Sequence, residues 1–371
     1  MKGLLYYGNR DLRYSEDIET PQIRNANEVQ IDVAWCGICG SDLHEYLEGP
    51  LFMPTVADHI SGKKMPLCIG HEFSGVVKTI GKDVTHVKVG DNVVVEATTH
   101  CSDRPRFCND HSKCLACSQG FFNCCSRLSF TGLGTDHGGF SDTVVVGADH
   151  VLKIPDNIPL DIGALVEPLS VAWHAVERSN LREGQSALVL GGGPIGLAVV
   201  MALQGHNAGK IVVSEPAEIR RQFAANLGVE VFNPTEHDDC VGALRELMGI
   251  KEGFDASYDC SGVPATLLQS IEALGPKGIA INVAVWPNVP TPYMPMDLTF
   301  QEKTATGSMC YTITDFEQVI EALHTGQMSM EKVRMLITGK INLKDGIEQG
   351  FARLISHKEQ NVKILVTPHA I

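Results

Sequence analysis

Residues 186–204 read SALVLGGGPIGLAVVMALQ. An apolar, strand-like run meets Gly191, Gly193 and Gly196 in the spacing G-x-G-x-x-G, and an apolar, helix-like run follows. The first glycine of such a unit permits a tight turn, the second lets the backbone approach a pyrophosphate, and the third allows close helix–strand packing. The N-terminus of the helix favours the anion. The stretch therefore predicts a dinucleotide site at the start of a doubly wound parallel sheet.

The residues around this motif indicate which nucleotide binds. Glu215 ends the next apolar run, KIVVSE, nineteen residues beyond Gly196. A carboxylate at this place accepts the ribose hydroxyls and repels a 2′-phosphate, which favours NAD over NADP. Pro194 and Ile195 within the motif, and Arg220 in the following helix-like stretch, complete the predicted cofactor contacts. The alternative is a glycine turn with an unrelated surface glutamate.

The patterns on either side of the motif divide the 371 residues into two domains, since one hydrophobic core rarely grows beyond about 250 to 300 residues. Residues 1–168 contain short alternating segments such as EVQIDVAW, typical of strands joined by long loops. Residues 169–303 alternate apolar runs with helix-like stretches, which indicates βαβ units and a Rossmann-type parallel sheet. Residues 304–371 have helical spacing, and we expect them to return to the first domain. The predicted fold class is α/β.

Composition argues against several classes of partner. The net charge is −14 and no block of lysine or arginine is present, so the basic footprint of a nucleic-acid-binding protein is missing. No apolar run approaches the roughly 18 residues of a membrane span. The first residues lack the apolar stretch of a signal peptide, and the last match no common lipidation or retention signal. We therefore expect a cytoplasmic protein that acts on a small molecule.

The cysteines point to metal ions. Nine of the twelve lie between Cys36 and Cys125, and without a secretory signal such clustering indicates metal ligation before disulfides. A catalytic zinc takes three protein ligands from cysteine, histidine and carboxylate and keeps one position open. The candidates for such a set are Cys39, His71, Glu72 and Glu167. They come from separate segments, so spacing alone does not show that they converge.

Five motifs carry a resemblance to a known family. GICGSDLHEY, GHEFSGVV, KVGDNVVV, ALVEPLS and VLGGGPIG, in this order, resemble the zinc-containing medium-chain alcohol dehydrogenases over essentially the whole chain. The resemblance implies a GroES-like β-rich catalytic domain of residues 1–168, completed by 304–371, and a Rossmann NAD-binding domain of residues 169–303, with the active site in the cleft between them. Glu167 stands where the ethanol-oxidising members carry a cysteine, which is typical of the polyol branch.

The same resemblance implies roles for individual residues. Cys39, His71 and either Glu72 or Glu167 would hold the catalytic zinc, and the choice between the two glutamates stays open. Ser41 would hydrogen-bond the substrate oxygen, and His44 would pass the proton to solvent through the nicotinamide ribose. Asp42 would orient a ligand. Cys36 is predicted to be a buried packing thiol, the alternative being a redox pair with Cys39.

A second zinc is predicted in residues 101–125, CSDRPRFCNDHSKCLACSQGFFNCC, because structural zinc takes four closed ligands. The family pattern is C-x2-C-x2-C-x7-C, and Cys114, Cys117 and Cys125 match its last three positions. An insertion of about ten residues displaces the first position. The candidates for the first ligand are Cys101, which we favour, Cys108 and His111. A cysteine-rich loop without metal is the other interpretation.

The predicted substrate is a vicinal diol. Residues 47–70, LEGPLFMPTVADHISGKKMPLCIG, are longer than in many relatives and resemble the butanediol-oxidising members. This implies NAD-linked interconversion of 2,3-butanediol and acetoin, with R selectivity and diacetyl reduction as a further activity. Sorbitol or another polyol, or L-threonine, is the alternative substrate. A non-catalytic nucleotide-binding relative is an alternative of another class, which the zinc ligands oppose.

The resemblance also implies a homodimer or a homotetramer. Members of the family pair through an edge of the nucleotide-domain sheet, and residues 278–290, GIAINVAVWPNVP, are predicted to supply that edge strand.

Overall fold

The computed structural model describes residues 1–249, 251–286 and 290–371. Contacts group the chain into two compact units, one of Met1–Glu167, Thr312–His324 and Ile337–Ile371, the other of Pro168–Tyr311 and Thr325–Leu336. The strands are β1 (Gly3–Gly8), β2 (Asp11–Ser15), β3 (Glu28–Gly37), β4 (Leu67–Cys68), β5 (Glu72–Ile80), β6 (Asn92–Val95), β7 (Thr98–Thr99), β8 (Ser129–Phe130), β9 (Thr143–Gly147), β10 (Val151–Lys153), β11 (Ala187–Leu190), β12 (Ile211–Ser214), β13 (Glu230–Phe232), β14 (Phe254–Asp259), β15 (Leu274–Asn282), β16 (Thr304–Gly307), β17 (Ile337–Asn342) and β18 (Lys363–Thr367).

The α-helices are α1 (Gly40–Glu48), α2 (Leu115–Ser118), α3 (Leu160–Gly163), α4 (Val166–Ser179), α5 (Pro194–Gly205), α6 (Glu218–Asn226), α7 (Cys240–Met248), α8 (Pro264–Glu272), α9 (Met296–Thr299), α10 (Ile313–Thr325), α11 (Met330–Arg334) and α12 (Arg353–Ser356). Short 3-10 segments occur at Cys101–Arg106, Phe122–Cys124, Ala148–His150, Pro234–Glu236 and Leu343–Asp345, and a π-helical turn at Gly346–Ala352. Among the helices of the described ranges, none combines the length and the apolar character needed to cross a bilayer.

The second unit is a six-stranded sheet in the order β13-β12-β11-β14-β15-β16, with every neighbouring pair parallel. All four residues of the central strand β11 are fully buried. This is expected because crossover helices cover both faces of a parallel sheet. The strand order reverses between β11 and its two neighbours, β12 and β14, which makes the end of β11 the switch point where such sheets bind ligands. The predicted Rossmann sheet is confirmed.

The first unit is built on a seven-stranded sheet in the order β10-β6-β5-β3-β18-β17, with β9 also paired to β3. β17 and β18 are parallel, and the other pairs are antiparallel. Val29, Ile31 and Val33, the predicted apolar face of β3, are completely buried in its core. A three-stranded sheet β2-β1-β4 and the pair β7-β8 complete this β-rich unit.

Residues 304–371 were predicted to return to the first domain as a whole. In the structure they are divided between the two units. Residues 304–311 group with the second unit because β16 pairs in parallel with β15 and extends its sheet. Residues 325–336 also group there, and Lys332 Nζ on α11 donates to Gln204 Oε1 on α5 at 2.8 Å. Helical spacing contains no information on which of two cores a helix covers.

The edge strand also differs from the prediction. Residues 278–282 belong to β15, which pairs with β14 on one side and β16 on the other, so β15 is not an edge. Residues 287–289 of the predicted segment lie outside the described residues. The edge on this side of the sheet is β16.

Candidate active site

The ends of neighbouring strands deliver the predicted catalytic ligands. β3 ends two residues before Cys39, and β5 begins with Glu72, directly after His71. β3 and β5 are antiparallel, and their register places Gly37 opposite Glu72. The last residues of one strand and the first of the other therefore meet at the same edge of the sheet. This register brings together ligands that are 32 residues apart in sequence.

Ligand atoms of Cys39, His71 and Glu72 all lie within 4.8 Å of one another. His71 and Glu72 are buried, whereas Cys39 is partly exposed. One thiol, one imidazole and one carboxylate form a donor set that zinc binds in catalytic sites, with a fourth position left for water or substrate. The residues present thus fit a catalytic zinc.

Two glycines make room for these ligands. A Cβ on Gly37 would lie 2.2 Å from Glu72 Oε2, so only glycine at the end of β3 admits that carboxylate. Gly70, directly before His71, has φ +98°, a backbone conformation that favours glycine. A Cβ on Gly70 would also lie 2.8 Å from Cys36 Sγ. The glycines that flank the ligand motifs are therefore required by the packing of the site.

Asp42 and Ser41 flank the two ring nitrogens of His71. Asp42 Oδ1 lies 3.4 Å from Nδ1, and Ser41 Oγ lies 3.2 Å from Nε2. The other oxygen of the buried Asp42 carboxylate accepts the backbone N–H of Cys39 at 2.9 Å. Burial lowers the pKa of His71, but the charges of Asp42 and Cys39 outweigh it and raise that pKa well above its usual value. The single carboxylate of Asp42 thus contacts both His71 and Cys39. Carboxylates often orient metal-binding histidines in this way.

Lys363, which sequence reasoning missed, is ion-paired with Glu72. Its Nζ donates to Glu72 Oε1 and Oε2 at 2.7 and 2.8 Å and to the carbonyl of Ile38 at 3.1 Å. Both side chains are buried. Burial lowers the pKa of Lys363, but the negative groups, Glu72 foremost, raise it to about 12. The only sequence signal was a lysine that opens the otherwise apolar strand β18, 291 residues from Glu72.

The two remaining predicted residues, Glu167 and His44, lie on helices α4 and α1. Glu167 is buried in the first turn of α4, and its charge contributes to the raised pKa of Lys363. It does not belong to the set of mutually close donor atoms. His44 lies on α1 and is exposed to solvent. Cys36 is fully buried in the core of the first unit, as expected for a packing thiol, and burial raises its pKa.

The glycine-rich turn has the predicted geometry. Gly191, directly after β11, has φ +107°. A Cβ on Gly196 would lie 1.9 Å from the carbonyl oxygen of Gly191, so the third glycine permits the close approach of helix and strand. Gly193 caps α5, and Pro194 and the half-buried Ile195 are its first two residues. The N-terminus of α5, at the end of β11, is therefore arranged as an anion site.

Glu215 faces this turn. Its carboxylate accepts the backbone N–H of Gly192 at 2.7 Å and that of Ala217 at 2.9 Å. Arg220 Nη1 lies 4.0 Å from Glu215 Oε2, so both predicted side chains point to one corner of the motif. A buried carboxylate beside the glycine turn is suited to ribose hydroxyls and opposes a phosphate.

The four cysteines of the second predicted zinc site also converge. The Sγ atoms of Cys101, Cys114, Cys117 and Cys125 lie within 4.8 Å of one another, with 3.5 Å between Cys101 and Cys125 and 3.8 Å between Cys114 and Cys125. Four thiolates at about 2.3 Å from a tetrahedral zinc are about 3.8 Å apart, so the set fits this ion. Of the three candidates for the first ligand, Cys101 is the one whose thiol lies with the other three. Cys108 and His111 are exposed and lie outside the set.

In the lobe of residues 101–125, backbone hydrogen bonds lower the pKa of one thiol, that of Cys114, whereas burial raises the pKa of Cys117 and of Cys125. Cys114 caps α2, and its Sγ accepts the N–H of Cys117 at 3.5 Å. Together with the N–H of Ser126, this contact lowers the pKa of Cys114 to about 5. Arg127 N–H donates to Cys125 Sγ at 3.3 Å. Since thiolate is the form that binds metal, these donors favour ligation.

Comparison with known proteins gives the same assignment. Residues 25–156 match the alcohol dehydrogenase GroES-like domain, and residues 194–325 match the zinc-binding dehydrogenase family. The chain is 51% identical to the (R,R)-butanediol dehydrogenase of Saccharomyces cerevisiae, over 100% of this chain and 98% of that protein. It is 42% identical to a probable diacetyl reductase [(R)-acetoin forming] of the same organism, over 100% and 90% of the two chains.

A solved structure agrees. The 2R,3R-butanediol dehydrogenase of Bacillus subtilis superposes with a TM-score of 0.88 at 37% identity, covering 99% of each chain. Taken together with the two cysteine-containing clusters and the glycine-rich turn, these likenesses show that the chain belongs to the zinc-binding alcohol dehydrogenase family.

Proposed function

We propose that this enzyme reversibly oxidises (R,R)-2,3-butanediol to acetoin with NAD, and that it also reduces diacetyl to acetoin. The likeness over the full chain to a butanediol dehydrogenase supports the substrate, and the Cys39, His71 and Glu72 cluster supports the chemistry. The diol carbon loses a hydride to NAD⁺ and its hydroxyl loses a proton to solvent, which gives acetoin, NADH and H⁺. In the reverse direction a keto group takes up the hydride and the proton.

The side chains of the site have distinct tasks in this reaction. A bound zinc supplies a Lewis acid, which makes loss of the hydroxyl proton accessible near neutral pH, as it does for water. Ser41, whose Oγ lies 3.2 Å from Nε2 of His71, the ring nitrogen left for the metal, is placed beside it to accept the proton of the substrate hydroxyl. His44, exposed on α1, passes this proton to solvent. Asp42 and Lys363 position His71 and Glu72.

Turnover measurements test the substrate assignment. We expect the highest kcat/KM for (R,R)-2,3-butanediol with NAD in a panel that also contains the (S,S) and meso isomers, sorbitol and L-threonine. A higher value for sorbitol or L-threonine would contradict the substrate but keep the dehydrogenase. Absence of turnover with every member, despite bound zinc and NAD, would favour a non-catalytic relative.

As the third zinc ligand we propose Glu72, because its carboxylate lies with Cys39 and His71. Glu167 remains a second carboxylate near Lys363. Substitution of Glu72→Gln is expected to weaken zinc affinity more than Glu167→Gln does, as read by metal content after dialysis against a chelator. The opposite order would assign the ligand to Glu167.

The preference for NAD over NADP is assigned to Glu215. Glu215→Ala removes the carboxylate that faces the glycine turn, so the ratio of kcat/KM for NAD to that for NADP should fall by on the order of tenfold or more. Glu218→Ala, an exposed glutamate at the start of α6, is the matched control. If Glu215→Ala and Glu218→Ala had the same ratio of kcat/KM for NAD to that for NADP, Glu215 would not determine the preference for NAD.

We also propose that the four cysteines hold a structural zinc. Their mutual distances and the lowered pKa of Cys114 support this. Metal analysis of the purified enzyme should give two zinc ions per chain. A single zinc, bound by wild type and lost in Cys39→Ser, would show that the lobe is metal-free.

For quaternary structure we propose a homo-oligomer that pairs through β16. This strand is an edge of its sheet and exposed, and Phe300 close by is 81% exposed. Exposed edges pair readily with another strand. Phe300→Asp should shift native mass spectra towards the monomer, whereas Val56→Asp, on an exposed loop of the first unit, should not.

We place the enzyme in the cytoplasm. Support comes from its twelve free cysteines, since free thiols are typical of reducing compartments. Microscopy of a fluorescent fusion in the source cell tests this location.

A further inference from the structure

A polar cluster that the proposed reaction does not use lies beside the four cysteines. His150 Nδ1 lies 2.5 Å from Glu96 Oε2, and His150 Nε2 lies 2.7 Å from Asp103 Oδ1. All three side chains are buried. Because ionised carboxylates only accept, an imidazole between two of them donates from both nitrogens and is an imidazolium. His150 thus ties the loop after β6 to the 3-10 segment Cys101–Arg106.

The second oxygen of Asp103 holds the backbone next to the first zinc ligand. Asp103 Oδ2 accepts the N–H of His100 at 2.8 Å and lies 3.2 Å from His100 Nδ1. The His100 ring stacks on Phe122, with ring centroids 4.5 Å apart and an interplanar angle of 20°. Phe122 begins the short turn that leads to Cys125. The cluster therefore contacts the lobe immediately before its first ligand and shortly before its last.

Cys101 needs such support more than the other three ligands do. Two residues separate Cys114 from Cys117 and seven separate Cys117 from Cys125, whereas twelve separate Cys101 from Cys114. The entropy lost on closing a loop increases with its length. Cys114 and Cys117 are held locally by the cap of α2. Because of the insertion, Cys101 has no other ligand of the set close to it in sequence.

The far end of the same 3-10 segment is anchored as well. Arg106 Nη2 lies 3.5 Å from Glu28 Oε1 at the start of β3, and its carbonyl accepts from Asn25 Nδ2 at 2.8 Å. The segment that begins with Cys101 is therefore held at both ends by groups from the sheet. The rest of the insertion, from 107 to 113, is mostly exposed.

We propose that Asp103 and His150, supported by Glu96, are positioning residues that hold Cys101 for the structural zinc, so that the lobe retains its metal despite the insertion. The proposal depends on the structural zinc proposed above. Groups that orient metal ligands change metal affinity by about 10- to 100-fold when they are substituted. Here the group acts through the main chain at His100 instead of through a ligand side chain.

Zinc release to a chromogenic chelator from the intact enzyme tests this role. Two phases are expected in wild type, and the phase that is absent in Cys117→Ser belongs to the lobe. Asp103→Asn and His150→Gln should accelerate that phase by about 10- to 100-fold and leave the other unchanged. The matched control is Asp110→Asn, which removes a carboxylate of the same insertion that is paired with Arg104 and only half-buried.

Each outcome decides the question. Equal release rates in Asp103→Asn and Asp110→Asn would overturn the positioning role. The proposed structural zinc would still stand in that case if metal analysis gives two zinc ions per chain. A single release phase in wild type would refute the structural zinc itself. Three zinc ions in wild type and two in Asp103→Asn, with an unchanged lobe phase, would make the cluster a metal site and also overturn the proposal. Glu96→Gln, which keeps the contact between Asp103 and His150, should give a smaller acceleration if the stronger variants fail to fold.

Discussion

The two cysteine-containing clusters of this protein are built in opposite ways. The catalytic cluster takes one thiol, one imidazole and one carboxylate from the ends of two strands, and its cysteine is partly exposed. The lobe takes four thiols from a single stretch of 25 residues. Four identical donors close a tetrahedron, whereas three mixed donors leave a position for a reacting molecule. Donor number and donor type therefore separate a reactive site from a structural one.

The two clusters also balance charge differently. In the catalytic cluster whole charges face each other, with Lys363 against Glu72 and Asp42 behind His71. In the lobe, backbone N–H groups point at Cys114 and Cys125. The catalytic cluster thus relies on paired side-chain charges, and the lobe on main-chain donors.

The largest effect is expected for Cys39→Ser. Loss of the thiolate ligand removes several kcal/mol of electrophilic assistance, so kcat/KM should fall by on the order of a thousandfold or more. The metal ligands belong to one unit and the nucleotide residues to the other, so the Kd for NADH, measured by fluorescence, should be unchanged. Cys36→Ala, three residues earlier in the core, should retain zinc and most activity. Full activity of Cys39→Ser would contradict the catalytic assignment.

Substitution in the lobe should instead act on stability. Cys117→Ser opens the closed site, and the thermal midpoint should fall by on the order of 10 °C because structural zinc contributes folding energy. The enzyme that remains folded should keep a KM close to that of wild type. Cys108→Ser, an exposed cysteine of the same segment, should leave the midpoint unchanged. Equal thermal midpoints in Cys117→Ser and Cys108→Ser would contradict a stabilising role of the lobe.

Lys363→Met tests the charge balance of the catalytic cluster. It leaves Glu72 buried without its ion-pair partner, so unfolding by urea should show a loss of about 3 to 5 kcal/mol. The double variant Lys363→Met/Glu72→Gln should recover much of this loss. Lys340→Met breaks a more exposed pair with Asp161 and is expected to lose about 1 kcal/mol or less. A loss no larger in Lys363→Met than in Lys340→Met would refute the role of the buried pair.

The last effect concerns pH and the group beside the lobe. Burial lowers the pKa of His150, but Asp103 and Glu96 raise it to about 10 from 6.5. Because the folded-state pKa exceeds the unfolded value, the stabilisation is complete below about pH 6.5 and is lost as pH rises through 10. The difference in thermal midpoint between wild type and His150→Gln should therefore shrink from pH 6 to pH 10. For the exposed His357→Gln the difference should stay near zero throughout.

The local backbone motifs could be predicted from the order of the residues alone. The tight turn at Gly191 after a buried strand and the start of α5 are short-range backbone features, so a few consecutive residues were enough to predict them. The family resemblance then supplied the zinc ligands and the diol substrate. The turn and the helix start depend on neighbours along the chain, which a sequence displays directly, whereas the ligand set and the substrate were predicted from the resemblance alone.

Which distant groups meet could be learned only from the folded chain. The pairing of Lys363 with Glu72 depends on strand register, the choice of Cys101 over Cys108 on the packing of residues 101–125, and the position of β16 as the edge on strand order. Register is set by packing across the whole sheet, and a shift of one residue would turn every side chain to the opposite face. A single sequence read along its length does not display that packing, which is why these three features were left open, missed or misplaced.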